Sequence, residues 1–268
     1  MLHQRVNGYD MAYIELGQGN PLVCIHGTLG DFRTWSGVLG PLSRRCRVIA
    51  PSLRHFFPEH WDGVGNDYTI AQHVDDVIAF LDALGGKVDL LGHSRGGHIA
   101  FRVAQRRPDL LRRLVLAEPG GDLDASLAPA GSLPSLKSRM TEAVDKVAAG
   151  DIDGGLEAAI DAIMSPGAWQ RFPPAAQQEF RDNARTLLGQ INEQRPPYTR
   201  ADAEQIRVPA LFIGGADTPG PLPIVLRALA SHVPGARTAI IANATHFMFY
   251  DDPARFSAIV LEFLAAPS

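Results

Sequence analysis

The sequence predicts a mostly parallel, doubly wound α/β sheet with an N-terminal antiparallel hairpin and an inserted block of helices forming a cap. Three observations predict it. Six short apolar or β-branched runs alternate with segments of helical periodicity. An Asn-Gly turn signal separates two alternating stretches near the N-terminus, and between about residues 120 and 205 the alternation lapses into helical patterns without a strand.

In chain order, "QRVNGYDMAYIELGQG" (4–19) reads as the hairpin, because Asn-Gly suits the left-handed turn that joins two twisted strands. "PLVCIHG" (21–27), "CRVIAP" (46–51), "KVDLLGHS" (87–94), "RRLVLAEP" (112–119), "PALFIGG" (209–215) and "RTAIIAN" (237–243) are near-continuous apolar runs, as strands buried on both faces require. "TIAQHVDDVIAFLDALGG" (69–86) carries apolar residues at helical spacing and ends in glycine, and "GHIAFRVAQRRPDLL" (97–111) does so until proline stops it. Within the lapse, Gly and Pro punctuate three or so amphipathic helices, and "DPARFSAIVLEFL" (252–264) closes the chain as a last helix. The domain reading is a core of residues 1–122 and 203–268, with a helical cap, 123–202, inserted in it.

Length and composition agree with this plan: 268 residues at 46% hydrophobic content suffice for one large core with an insertion. A formal charge of -4 leaves no basic surplus to neutralise phosphates, so a small molecule is the expected partner, with neither nucleic acid nor membrane; a homodimer is left open. No apolar run reaches the roughly 18 residues of a membrane span, and the first residues lack the apolar core of a signal peptide. Two cysteines, one inside a buried strand, suit reduced thiols and a cytoplasmic location. No Cys-x-x-Cys or His-x-x-x-His spacing and no phosphate-loop sequence occurs, so neither a metal nor a cofactor is expected.

The most informative stretch is "LLGHSRGGHIA" (90–100), where one serine stands between glycines as a strand gives way to a helix. A residue forced into so sharp a turn is strained, and side chains two positions either side would collide; Gly92 and Gly96 remove them. Ser94 then projects above the sheet at a helix N-terminus, whose unpaired N–H groups favour developing negative charge.

With this motif in hand, the whole chain resembles the α/β-hydrolase family. "CIHGTLGDFRTW" looks like that family's His-Gly loop, "FIGGADTPG" like its acid segment and "ANATHFMFYDDPARF" like its histidine segment, in the order Ser, acid, His. The resemblance implies Ser94 as nucleophile, His246 as base and Asp217 as the orienting acid, because a serine hydroxyl needs a base and the base needs a carboxylate to fix its tautomer. Glu118, at the end of the fourth of the six runs, is the rival acid. The family pattern assigns the oxyanion donors to the backbone N–H groups of Thr28 and Arg95, with Leu29 as the alternative to Thr28, while His26 orders the loop.

Two departures from the family pattern stand out. Thr245 occupies the place of a usual glycine before the histidine, and Arg95 that of a usual apolar residue after the nucleophile. For the Arg95 side chain, a salt bridge to Glu118 or Asp31 or plain solvent exposure is preferred over capture of a substrate carboxylate. A small-residue turn is replaced by "SLRHFFPEHW" (52–61), so His55, Phe56, Phe57 and Trp61 either line the pocket or pack under the cap. Leu29, Met164, Trp169, Phe172, Phe247 and Met248 are further candidate pocket walls, and Asp122 and Asp124 are turn residues leading into the cap.

The expected function is a serine hydrolase acting on a small carboxylic ester, thioester or lactone. Alternatives within the resemblance are carbon–carbon bond hydrolysis, cofactor-free haloperoxidase or perhydrolase chemistry, amide hydrolysis, and a small-ligand receptor with slow or single turnover. Epoxide hydrolysis and dehalogenation are disfavoured, since those relatives carry a carboxylate where Ser94 stands.

Overall fold

Successive residues of the central strands point to opposite faces of one sheet, and both faces are covered. In the computed structural model, which describes residues 1–128 and 140–266, Leu22 and Cys24 join one core cluster while Val23 and Ile25 join the other. The same alternation runs through Val115 and Ala117 against Leu114 and Leu116.

The eight strands are β1 (Leu2–Val6), β2 (Tyr9–Leu16), β3 (Asn20–Ile25), β4 (Cys46–Pro51), β5 (Val88–His93), β6 (Leu111–Ala117), β7 (Ala210–Gly215) and β8 (Arg237–Ile241). Their spatial order is β1-β2-β4-β3-β5-β6-β7-β8. The pairs β1–β2 and β2–β4 are antiparallel and the remainder parallel. The fold is therefore the α/β-hydrolase fold that the sequence suggests. The hairpin turns on Asn7 (φ 46°) and Gly8 (φ 77°), the left-handed pair that a tight two-residue connection demands.

Helices α1 (Ser36–Ser43), α2 (Ile70–Ala83) and α3 (Arg95–Arg106) precede the insertion. Thr69 caps α2 by accepting a hydrogen bond from the Gln72 N–H at 3.0 Å. Between β6 and β7 lie α4 (Thr141–Ala148), α5 (Ile152–Ile163), α6 (Ala168–Arg171), α7 (Pro174–Asn183), α8 (Thr186–Asn192) and α9 (Arg200–Glu204). Among the described residues this is twice the helix number expected from the sequence, because breaks at Gly150, Gly167 and Pro173 divide long helical patterns into short pieces. Residues 129–139 of the expected cap range and the last two residues fall outside the described set. The core resumes with α10 (Leu222–His232), α11 (Met248–Asp251) and α12 (Pro253–Ala265). Helices α2, α3 and α10 cover one face of the sheet, with α9 joining their cluster; α1, α12 and the inserted helices α4, α5, α6, α7 and α8 share the other cluster.

The chain enters and leaves the insertion at one place. Leu123 and Tyr198 form a parallel bridge, Tyr198 N–H donates to the Asp122 carbonyl at 2.8 Å, and Asp124 N–H donates to the Tyr198 carbonyl at 2.9 Å. Among the described residues, no helix is long and apolar enough to cross a membrane. Cys24 and Cys46 are buried free thiols.

Candidate active site

Ser94 stands between β5 and α3 with φ 52° and ψ −119°, a backbone conformation that costs a non-glycine residue about 1–3 kcal/mol. The surroundings hold it there. Its N–H donates to the Ala117 carbonyl at 3.0 Å, and its carbonyl accepts from Gly120 N–H at 2.8 Å and His98 N–H at 3.1 Å. A Cβ on Gly96 would lie 2.3 Å from the His26 carbonyl oxygen, and one on Gly92 would lie 2.4 Å from the Gly96 carbonyl oxygen, so the glycines expected on steric grounds are required by backbone contacts. Leu29 (φ 64°) and Glu118 (φ 40°) share positive φ with Ser94, which gathers local strain at this end of the sheet.

Glu118 follows β6, and His246 lies in the loop between β8 and α11. One Glu118 carboxylate oxygen meets His246 Nδ1 at 2.7 Å, and the other accepts the Gly215 N–H at 3.0 Å; both side chains are buried. A carboxylate only accepts, so Nδ1 carries the hydrogen and the Nε2 lone pair is left to take a proton. His93, the residue before Ser94, donates from Nε2 to the His246 carbonyl at 2.9 Å and packs its ring 4.4 Å from the His246 ring. Histidine and serine are thus tied to the same strand end.

The expected acid, Asp217, is not the group at the imidazole. Its side chain is exposed, and its backbone N–H is bound to the Ala244 carbonyl at 2.9 Å. Both acids follow a strand, so strand position alone could not separate them; the contact with His246 Nδ1 does. Thr245, in the place of the family glycine, directs both its N–H (2.7 Å) and its hydroxyl (2.6 Å) to one Asp251 carboxylate oxygen, which ties the histidine loop to α11.

Thr28 and Ser94 face a cavity of about 60 Å³, together with Gly120, Met140, Ile163 and Gln190; Asp122, Glu193 and Arg195 add charge to its wall. The Thr28 hydroxyl donates to Gln190 Oε1 at 3.0 Å. Arg95 begins α3, so its N–H is one of the first four that have no partner within the helix. Its side chain does not follow expectation: it is buried and paired with Glu193, not with Glu118 or Asp31, and it receives no solvent. His26 is confined to ordering the loop, donating from Nδ1 to the Gly27 carbonyl and accepting the Leu53 N–H at Nε2, both at 3.0 Å. Burial pushes it down to about 4.

The expected pocket walls are packing residues, and none of them lines this cavity. Phe56 packs on His26 at 4.6 Å; Trp61 stacks on His55, whose two ring nitrogens meet Glu59 and Asp67. Arg33 lies 3.8 Å over the Phe57 ring. Phe172 packs on Phe247 at 5.1 Å and Trp169 on Phe180 at 6.3 Å, while Leu29, Met164 and Met248 are buried in the same cluster. Amphipathic helices that dock on a sheet need such residues for contact, and here that need absorbs them.

Sequence reasoning missed the second polar seam between inserted helices and core. Glu179 of α7 bonds the Thr34 hydroxyl and accepts from the Tyr250 hydroxyl at 3.2 Å and from the Asp31 N–H at 3.4 Å. Asn183 donates to the Asp31 carboxylate at 2.7 Å. Burial first, and then the Asp31 charge, push the Glu179 carboxyl up to about 8. Its only sequence signal is helical: Glu179 falls on the apolar face of α7 beside Ala176, Phe180 and Asn183. Among the described residues, no group of three or more His, Cys, Asp or Glu is placed to hold a metal ion.

Comparison with known proteins decides the family. The model of the alpha/beta hydrolase family matches residues 22–259. The chain belongs to the alpha/beta hydrolase family. An uncharacterised family relative from Mycobacterium tuberculosis is 31% identical over 97% of this chain and 79% of its own length. A 2-hydroxy-6-oxo-2,4-heptadienoate hydrolase of Pseudomonas putida is 29% identical over 97% of this chain and 94% of its own. Among solved structures, the enol-lactonase of Burkholderia xenovorans superposes with a TM-score of 0.78 at 22% identity, over 98% of this chain and all of its own, a likeness of fold.

Proposed function

We propose that this alpha/beta hydrolase is a serine hydrolase cleaving a small carboxylic ester, thioester or lactone through an acyl-enzyme intermediate. Ser94 Oγ attacks the carbonyl carbon as His246 Nε2 takes its proton. Glu118 holds the imidazole in the competent tautomer and stabilises the imidazolium. The backbone N–H groups of Thr28 and Arg95 receive the oxyanion, each worth about 3 kcal/mol in the transition state. The imidazolium then protonates the departing oxygen or sulfur, and His246 activates a water that releases the acid and restores Ser94.

One observation carries this reading: the buried 2.7 Å contact between Glu118 and His246, tied through His93 to the strained Ser94 turn. The inserted helices act as a cap over this site. The cavity beside Ser94 is only about 60 Å³, small beside an ordinary ligand pocket, and on this reading the cap moves to admit an acyl group. A second reading, carbon–carbon bond hydrolysis, is favoured by the likeness to the Pseudomonas putida hydrolase along nearly the whole of both chains.

The test is turnover of p-nitrophenyl esters, short thioesters, lactones and a 2-hydroxy-6-oxo-dienoate by the wild-type protein and by Ser94→Ala. Ester, thioester or lactone turnover that falls several orders of magnitude in the variant supports the proposal. Turnover of the dienoate alone moves the reading to carbon–carbon cleavage, and undiminished turnover in Ser94→Ala overturns both.

A further inference from the structure

The two residues assigned as oxyanion donors are both held from the cap, and by the same helix end. Gln190, in the last turn of α8, accepts the hydroxyl of Thr28 at 3.0 Å. Glu193, the residue that ends α8, takes the Arg95 guanidinium: Nη2 bonds one carboxylate oxygen, and Nε lies 3.3 Å from the other. Glu193 also accepts from Arg195 at 3.0 Å.

The Arg95 side chain is fixed from the core side as well. Its Nη2 donates to His73 Nδ1 at 2.7 Å, and His73 in turn donates from Nε2 to the Arg54 carbonyl at 3.0 Å. The guanidinium lies 4.8 Å over the Tyr68 ring. Arg95 and Glu193 are each about 1% exposed at the side chain, so the pair is removed from water.

A cation in the first turn of a helix is opposed by the positive end of the helix dipole, and burial of two charges carries a desolvation cost that an apolar pair would avoid. Stability alone therefore does not account for this pair. Its location does: the side chain that Glu193 grips leaves the same Cα whose N–H is assigned to the oxyanion, immediately after Ser94.

Resting on the serine hydrolase reading, we propose that Glu193 is a positioning residue that couples cap seating to the oxyanion donors: α8 sets the Arg95 N–H through Glu193 and the Thr28 loop through Gln190. The oxyanion site is then complete only when the cap is seated over bound substrate, which restricts acyl transfer to the closed state. Glu193 itself touches neither the acyl group nor the leaving group.

The experiment measures kcat, KM and Tm for wild type, Glu193→Gln and the double variant Arg95→Met/Glu193→Leu, with p-nitrophenyl acetate as substrate. It adds the inhibition constant of an aryl trifluoromethyl ketone, whose adduct with Ser94 carries the oxyanion. Displacing one donor by a fraction of an ångström to an ångström lowers kcat by roughly 10- to 100-fold. KM changes by less than about 3-fold, and ketone binding weakens in parallel with kcat. The double variant, free of buried charge, keeps a Tm at or above that of wild type and still shows the low kcat and weak ketone binding.

A purely structural pair predicts the opposite: the double variant regains wild-type kcat together with Tm. That result overturns the proposal, as does a Glu193→Gln variant with wild-type or raised kcat. If Glu193→Gln fails to fold, the double variant decides. Failure of the underlying reading is distinguishable, because a wild-type protein that neither turns over the ester nor binds the ketone fails before any variant is compared.

Discussion

Glu118, at the end of β6, holds His246 Nδ1 at 2.7 Å across the sheet edge, while Asp217, two residues past the neighbouring β7, faces solvent. The relationship selects one of two acids that follow strands in similar sequence settings. Substitution of the orienting carboxylate by its amide leaves the imidazole in the wrong tautomer and lowers kcat by about 10⁴-fold in the best-studied serine triad. Glu118→Gln is expected to lower kcat by roughly 10³- to 10⁴-fold, and Asp217→Asn by less than about 3-fold. Ester hydrolysis by the two purified variants checks the ranking, and the reverse order would return the acid role to the β7 end.

The serine turn makes a prediction on stability. A methyl group at Gly96 meets two carbonyl oxygens, of His26 at 2.3 Å and Ile25 at 2.4 Å, and neither belongs to a flexible side chain. Gly96→Ala is expected to cost about 2–3 kcal/mol by overpacking, a Tm fall of about 5–10 °C in a chain of this size. Activity falls with it, since the shift displaces Ser94 from β3 and the Thr28 loop. Thermal denaturation against wild type is the check, and an unchanged Tm would mean that the close approach at Gly96 is not tight.

The polar seam between α7 and the core predicts a pH dependence. Glu179 carries a carboxyl raised from the usual 4.5 to about 8, so between those values the folded state keeps a proton that the unfolded chain releases. The contribution is fully present below pH 4.5 and is lost as pH rises through about 8, at up to roughly 1.4 kcal/mol per pH unit. Wild-type Tm should therefore fall between pH 5 and pH 8 more steeply than that of Glu179→Gln, which cannot ionise. Parallel Tm profiles for the two proteins would show that Glu179 is not protonated in the fold.

The strand plan was legible because the parallel strands are buried on both faces, which leaves near-continuous apolar runs such as those of β3, β5 and β7. The hairpin was legible from Asn7-Gly8, and the sharp turn at Ser94 from glycines that the structure requires for space. Short helices were not: α1 carries Gly37, Gly40 and Pro41, which mask its helical period, and the inserted stretch is cut into more helices than the three or so its pattern predicts. Side-chain roles were the least legible. Arg95 and Glu193 are 98 residues apart, and Asp31 and Asn183 are 152 apart, so no local pattern links either pair. The aromatic residues taken as pocket walls carry the same pattern whether they face a ligand or pack two layers together.

The central claim is that Ser94 is a nucleophile activated by the Glu118–His246 pair. Mass spectrometry after treatment with a fluorophosphonate tests it most directly, with peptide mapping of wild type, Ser94→Ala and Glu118→Gln. One adduct on the peptide carrying Ser94, absent in Ser94→Ala and formed at least about 100-fold more slowly in Glu118→Gln, is the predicted result. An adduct on another residue, or labelling of Ser94 that is indifferent to loss of the Glu118 carboxylate, would contradict it.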